Sequence, residues 1–153
     1  MKRTIFVVWS LVFVAYCKGD EPRAIESGRE SCAFCRMKIA TSEFESQALT
    51  ATGRHVHFDS IECLSAWALK QETPPRKRWV KDFETRNWLD MNTASIARSD
   101  AAHSPMALNL AAFADTPKAA AFVKKNGGEL LSTRALEKLV SGWSTKPASH
   151  NDP

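Results

Sequence analysis

The chemistry in this chain is concentrated in Cys32-Ala33-Phe34-Cys35-Arg36-Met37. Two cysteines three apart can reach one metal ion or each other. In an extended backbone, residues two apart point to the same side, which would set the Cys35 thiolate beside the Met37 thioether. Thiolate with thioether is a soft donor set, and soft sets select Cu(I). A second place of interest is His103-Ser104-Pro105-Met106, a polar loop with a thioether three residues from an imidazole. Its bland reading is a methionine that packs beside a proline.

Several other chemistries fit the cysteine pair less well. A c-type haem needs histidine directly after the second cysteine, where Arg36 stands. A thioredoxin-like dithiol wants a buried strand before it, whereas Glu26-Ser27-Gly28-Arg29-Glu30 precedes this pair. A Cys32–Cys35 disulfide suits an oxidising compartment. A zinc site from Cys32, Cys35, His57 and Cys63 has suitable ligand types but lacks a second paired motif. Cys63 falls inside a helical pattern and reads first as a small core residue. His55 and His57 share one strand face, either as a metal-binding pair or as a solvated surface. Met91 has no ligand-like neighbour. No nucleophile elbow, H-E-x-x-H helix or phosphate loop is present, so nothing marks the chain as an enzyme.

These residues need elements to position them. Phe44 to Ala51 alternates like a strand, with Phe44, Ser46, Ala48 and Thr50 on one face. Thr52-Gly53 marks a turn, and His55 to Phe58 is the returning strand. Asp59 with Glu62 three residues later reads as a capping box opening a helix to Lys70. Ile61, Leu64, Trp67 and Ala68 form its apolar stripe. Gln71 to Arg78 reads as a loop, and its Arg76-Lys77-Arg78 run as solvated charge. Trp79–Phe83, Ala94–Arg98 and Leu108–Phe113 follow as strands. Thr116-Pro117 opens a second helix that Asn126-Gly127-Gly128 ends. Glu129–Leu131 is a short strand and Thr133–Val140 a last helix. The order predicts a small single α+β domain of β-β-α units with mostly antiparallel sheet.

The amino terminus reads as an address. Lys2-Arg3 precedes an apolar run, Ile5–Ala15, that is long enough for a secretory signal and too short for a membrane span. Val14-Ala15-Tyr16-Cys17 closes it like a bacterial lipobox, with Tyr16 where a small residue is usual. This predicts a leader over 1–16, lipidation of Cys17, a tether over 17–30, a metal-binding domain over 31–143 and a disordered tail over 144–153. The expected place is the periplasmic side of a bacterial membrane, lipid-anchored. With Cys17 acylated, three cysteines remain, so at least one thiol stays outside any intramolecular disulfide. The 153-residue chain carries a net charge of +4, and loss of the leader leaves 19 basic against 17 acidic residues. That excess is too small for a nucleic-acid binder, which shows a concentrated basic face.

With these residues in view, the chain resembles the NosL family, lipoprotein copper chaperones associated with nitrous oxide reductase maturation. The resemblance is carried by Cys32-Ala-Phe-Cys35-Arg-Met37, His57-Phe58-Asp59, Ser104-Pro105-Met106 and Phe122-Val-Lys-Lys-Asn-Gly127-Gly128-Glu-Leu-Leu-Ser132. These cover most of residues 30 to 140 in the family's order. Ser104 and Ala107 stand where the family often has glycines. The resemblance implies an α+β fold of β-β-α units and Cu(I) held by Cys35, Met37 and Met106. Cys32 and His103 complete the candidate ligands by residue type. It also implies a copper-accepting client, such as a cuproenzyme, and an ABC-type membrane assembly complex as partner. The competing readings are a thiol–disulfide oxidoreductase using Cys32 and Cys35, and a lipoprotein stabilised by zinc or a disulfide. Met37 separates them: a thioether serves neither a redox dithiol nor zinc, but suits Cu(I).

Overall fold

The computed structural model describes residues 20–143. The expected leader 1–16, the expected lipidation at Cys17 and the expected tail 144–153 lie outside the described residues. Strands β1 (Ser46–Leu49), β2 (His55–Phe58), β3 (Lys77–Lys81) and β4 (Trp88–Asp90) form one sheet in the order β2-β1-β3-β4. Strands β5 (Ser95–Arg98), β6 (Leu110–Phe113) and β7 (Glu129–Leu131) form another in the order β6-β5-β7. Every strand pairing in both sheets is antiparallel. The helices are α1 (Ile61–Leu69), α2 (Thr116–Asn126) and α3 (Thr133–Ser141). The fold is therefore the expected small α+β domain.

The two sheets repeat one topology. In each, a central strand pairs with the strand that follows it and with the strand that returns after a helix. That repeat is topological, and the sequence alone does not announce it. The halves are joined by an isolated parallel bridge between Asp82 and Ala112. Asp82 also accepts hydrogen bonds from the amides of Glu84, Thr85 and Ala114, at 2.9, 2.8 and 2.9 Å. One apolar core runs through both halves, from Cys32, Phe58 and Leu64 to Ile96, Leu110 and Leu136. A smaller cluster gathers Phe44, Phe113 and Ala119, against which Phe83 and Phe122 pack.

Three local features depart from the sequence expectation. First, α1 is capped by Ser60, whose hydroxyl accepts from the Cys63 amide, and not by Asp59. Either residue type can cap a helix. Because Ser60 takes that role, the Asp59 carboxylate is free to face the cysteines. Second, residues Arg23–Glu30 of the stretch expected as a tether lie against the domain. Gly28 N–H donates to Ile39 O at 2.7 Å, and Ile39 N–H to Glu30 O at 3.0 Å. The Gln47 side-chain amide bonds both the N–H and the carbonyl of Arg23, at 3.0 and 2.9 Å. This arm explains why all four residues of β1 are buried and not only one face. Third, β4 was not legible, and the Arg76-Lys77-Arg78 run is not a free loop: Lys77 and Arg78 open β3. Lys77 pairs with Asp90 at 3.5 Å and Arg76 with Asp20 at 3.2 Å.

The α2 stop is steric as well as conformational. Gly128 sits at φ 113°, and a Cβ there would lie 2.1 Å from the Arg98 carbonyl oxygen. Only glycine lets β7 approach β5 so soon after the helix.

Candidate metal centre

Two short segments build the centre. The first is a tight turn at the cysteine pair. Ser31 and Lys38 bridge its base, Cys32 N–H donates to Met37 O at 2.8 Å, and Arg36 N–H donates to Cys32 O at 3.0 Å. Arg36 closes the turn in the left-handed region at φ 69°. The pair is thus a turn and not the extended run that would set Cys35 and Met37 side by side. The second segment is the junction of β2 and α1, which carries Asp59 just before the helix cap and Cys63 in the first turn. Ala33 N–H donates to His57 O at 2.9 Å and lays the turn along the end of β2.

The result is a group of four donors. The sulfurs of Cys32, Cys35 and Cys63 and one carboxylate oxygen of Asp59 all lie within 4.8 Å of one another. The three cysteines are free thiols. Cys32 and Cys63 are wholly buried, whereas Cys35 is half-buried and forms the open edge. The Cys35 thiol donates to Asp59 Oδ2 at 3.4 Å. The other carboxylate oxygen, Oδ1, is buried and has no hydrogen-bond partner among the described residues. A buried carboxylate oxygen with no hydrogen-bond partner beside three thiols is a donor set that fits a cation.

The proton inventory is uneven. Cys32 is pulled down to about 7, first by the hydrogen bond from the Cys63 thiol and against burial, with help from the amides of Cys35 and Asp59. Cys35 is pushed up to about 12, chiefly by burial. Cys63 is pushed far above the ordinary thiol range, chiefly because its proton is held by Cys32. Cys32 is therefore the first thiol of the group to ionise, about half thiolate near pH 7 and fully so above it, ready for a cation.

The residues expected from sequence divide. Cys32 and Cys35 stand together in the cluster. Met37 follows on the surface, 45% exposed. Met106 is half-buried against the main core. His103 is exposed, in the left-handed conformation that ends the 3-10 turn Asp100–Ala102. The four-donor group contains no histidine. Asp59 reads in the sequence only as a helix cap, and Cys63 first as a core residue and otherwise as one ligand of a zinc site with Cys32, Cys35 and His57; the structure puts Asp59 in the group and leaves His57 out. Cys63 does line the core, and its sulfur also belongs to the cluster. Their signal was the spacing Asp59-x-x-x-Cys63, which sets both residues at one helix start. The expected solvated face of β2 is instead half-buried. His57 Nδ1 is hydrogen-bonded to Glu30, and His55 stacks on Trp79 with ring centroids 5.9 Å apart.

The Ser104-Pro105-Met106 loop is tied to α1 from below. The Ser104 hydroxyl donates to Glu62 Oε1 and accepts from the Asn109 amide at 2.9 Å. Glu62 is fully buried, its Oε2 is unpartnered, and so is the hydroxyl of Ser65 one turn on. Burial, the largest effect, raises the Glu62 carboxyl above its ordinary range despite the Ser104 hydrogen bond. A raised carboxyl stabilises the fold fully below its unfolded value and loses that contribution as pH rises. Glu62→Gln keeps the shape and the acceptor for Ser104 and removes the charge that burial opposes. The variant should be about 1–3 kcal/mol more stable than the parent at pH 8, with the gap closing toward pH 4 in denaturant titrations. A variant less stable than the parent at pH 8 would show that the carboxylate itself is required.

Comparison with known proteins agrees with this architecture. The NosL family model matches residues 22–140. A crystal structure of the copper chaperone NosL from Shewanella denitrificans superposes with a TM-score of 0.65 at 20% identity. The match covers 74% of this chain and 93% of that one. No curated protein sequence matches significantly.

Proposed function

The chain belongs to the NosL family, and from that premise we propose that it is a carrier of Cu(I), an exported metallochaperone that delivers copper to a cuproenzyme such as nitrous oxide reductase. The observation that carries this reading is the cluster itself: three thiols and a carboxylate around one point, with one edge open to solvent. Cu(I) is the cargo. Three thiolates suit a soft monovalent ion, and the carboxylate suits it less. Asp59 serves better as the acceptor that orients Cys35 and takes its hydrogen bond while the site is empty. Loading replaces thiol protons by the metal, and unloading proceeds through Cys35, the half-buried member. Met37 beyond it is the thioether that a departing ion meets first. Met106 and His103 then act outside the cluster, as loop residues. The apolar run ending at Cys17 supports anchoring by lipid on the periplasmic side of a bacterial membrane. An ABC-type assembly complex would be the neighbouring machine.

A second reading has its own observation. Three cysteines and one aspartate are also a tetrahedral ligand set for Zn(II), and Asp59 Oδ1 lacks a partner. A structural zinc lipoprotein would use the same atoms. Anaerobic titration with Cu(I) against a chromogenic Cu(I) chelator, run beside Zn(II) titration, separates the two. The chaperone reading expects one Cu(I) bound in an all-sulfur shell by X-ray absorption, and displacement of Zn(II) by Cu(I). A protein that holds Zn(II) while losing Cu(I) to the chelator would sink it.

A further inference from the structure

Resting on the chaperone reading, we infer that the mouth of the thiol cluster is a docking surface for an acidic face of the copper-accepting protein, recognised by Arg36, Lys38 and Lys70 around the exposed Met37 thioether. Two of the three cluster cysteines are wholly buried, so exchange with a partner must pass Cys35. The residues that follow it, Arg36, Met37 and Lys38, are all exposed. A different element supplies the third cation. Lys70 caps α1, and its ammonium lies 4.7 Å from the centroid of the Phe34 ring, next to Cys35.

These three cations are uncommitted. Among the described residues no carboxylate forms an ion pair with Arg36, Lys38 or Lys70. Arg29, Arg76, Lys77 and Arg86 each have one. Glu30, just before the turn, is engaged by His57. The mouth therefore presents three cations without an ion-pair partner around a soft ligand, with the negative charge of Asp59 and of the cluster set behind them and not beside them on the surface. Such a patch attracts an oppositely charged partner, speeds encounter and fixes orientation more than it adds affinity. An anionic membrane surface would be drawn to the same charges. It would, however, cover the one open edge of the cluster, through which the metal must leave, and it offers no soft donor to receive it. A protein face bearing carboxylates around a methionine or cysteine answers both requirements.

The test uses three synthetic peptides with one methionine-rich core, flanked by glutamates, by glutamines or by lysines. Binding of each labelled peptide to the metal-free protein is read by fluorescence anisotropy, and Cu(I) transfer from the loaded protein by stopped flow. The glutamate peptide should bind and accept copper about tenfold better than the glutamine peptide at low salt, and the advantage should vanish at high salt. The triple variant Arg36→Gln/Lys38→Gln/Lys70→Gln should lose that advantage, read as peptide binding to the metal-free protein so that any change of Cu(I) affinity at the cysteine turn does not enter. The double variant Lys38→Gln/Lys70→Gln, which keeps the left-handed Arg36 and alters only side chains outside the four-donor group, should lose part of it. Equal binding of glutamate and glutamine peptides, or a triple variant that keeps the preference, would overturn the inference. So would tighter binding to phosphatidylserine vesicles than to the glutamate peptide. If the protein loads no Cu(I), the chaperone reading falls, and the metal-free binding measurement still decides the surface.

Discussion

Cys63→Ser should lower Cu(I) affinity by about a hundredfold or more, although Cys63 sits inside a helix and looks like a core residue. Its sulfur is within 4.8 Å of the other three donors, and the side chain is wholly buried, so it cannot be replaced by water. A serine hydroxyl stays protonated at neutral pH and is a hard donor, so the third soft ligand is lost outright. Removing groups that merely support a ligand already costs 10- to 100-fold in metal affinity. Loss of a ligand lies at or beyond the upper end, which is about 2.7 kcal/mol. The substitution also buries a hydroxyl without an assured partner, at about 1–3 kcal/mol of stability. Cys63→Ala avoids that cost and should show the same loss of copper with a circular dichroism spectrum like the parent's. The measurement is competition against a chromogenic Cu(I) chelator. If Cys63→Ala binds Cu(I) as tightly as the parent, the thiol only fills space, and the site reduces to Cys32, Cys35 and Asp59.

That helix also shows what the sequence could and could not say. Apolar spacing placed α1 between β2 and β3, and Asn126-Gly127-Gly128 ended α2, because such signals are local. The expected cap Thr116 with Pro117 at N1 is one residue late, since Asp115 caps α2 and accepts from the Lys118 amide. The choice between Asp59 and Ser60 as cap was not local. Both are good caps one residue apart, and only tertiary structure, with three thiols on one side, draws Asp59 away. The arm over 23–30 was illegible for a related reason. It has no periodic apolar face, and it is held by a pair of hydrogen bonds to Gln47 and a pair to Ile39, both distant in sequence. β4 is three residues long and pairs on one edge, too short for alternation to register. The cysteine pair is a local motif, whereas Cys63 reads in the sequence only as one ligand type of a candidate zinc site and otherwise as core. A thiol contributed from a helix has no motif of its own until the hairpin β1–β2 folds it over the turn at Cys32. The inference of an extended Cys35-x-Met37 failed at Arg36, whose left-handed backbone turns the thioether to the surface.

The pH dependence of Cu(I) binding should count the thiolates in the site, and the expected slope is steep. Above about pH 7, Cys32 is already a thiolate, while Cys35, pushed up to about 12, and Cys63, pushed far higher, keep their protons. Cu(I) entering all three sulfurs then displaces two protons. Ligand deprotonation makes affinity rise about tenfold per displaced proton per pH unit, so about a hundredfold per unit between pH 7 and 9. Below about 7, Cys32 is protonated too, three protons must leave, and the slope steepens to about a thousandfold per unit. The sign follows from the site being occupied by protons when the metal is absent: acid always weakens it. Thioethers carry no proton. A site of one thiolate on Cys35 completed by Met37 and Met106 would therefore show about tenfold per unit across the whole range, with no break near 7. The chelator's own titration is corrected with a copper standard, and affinity is read from pH 5.5 to 9. A break near 7 with a slope of two above it assigns all three cysteines to the ion. A constant slope of one would instead return the copper to Cys35 and the methionines, and leave Cys32 and Cys63 as a thiol pair of the core.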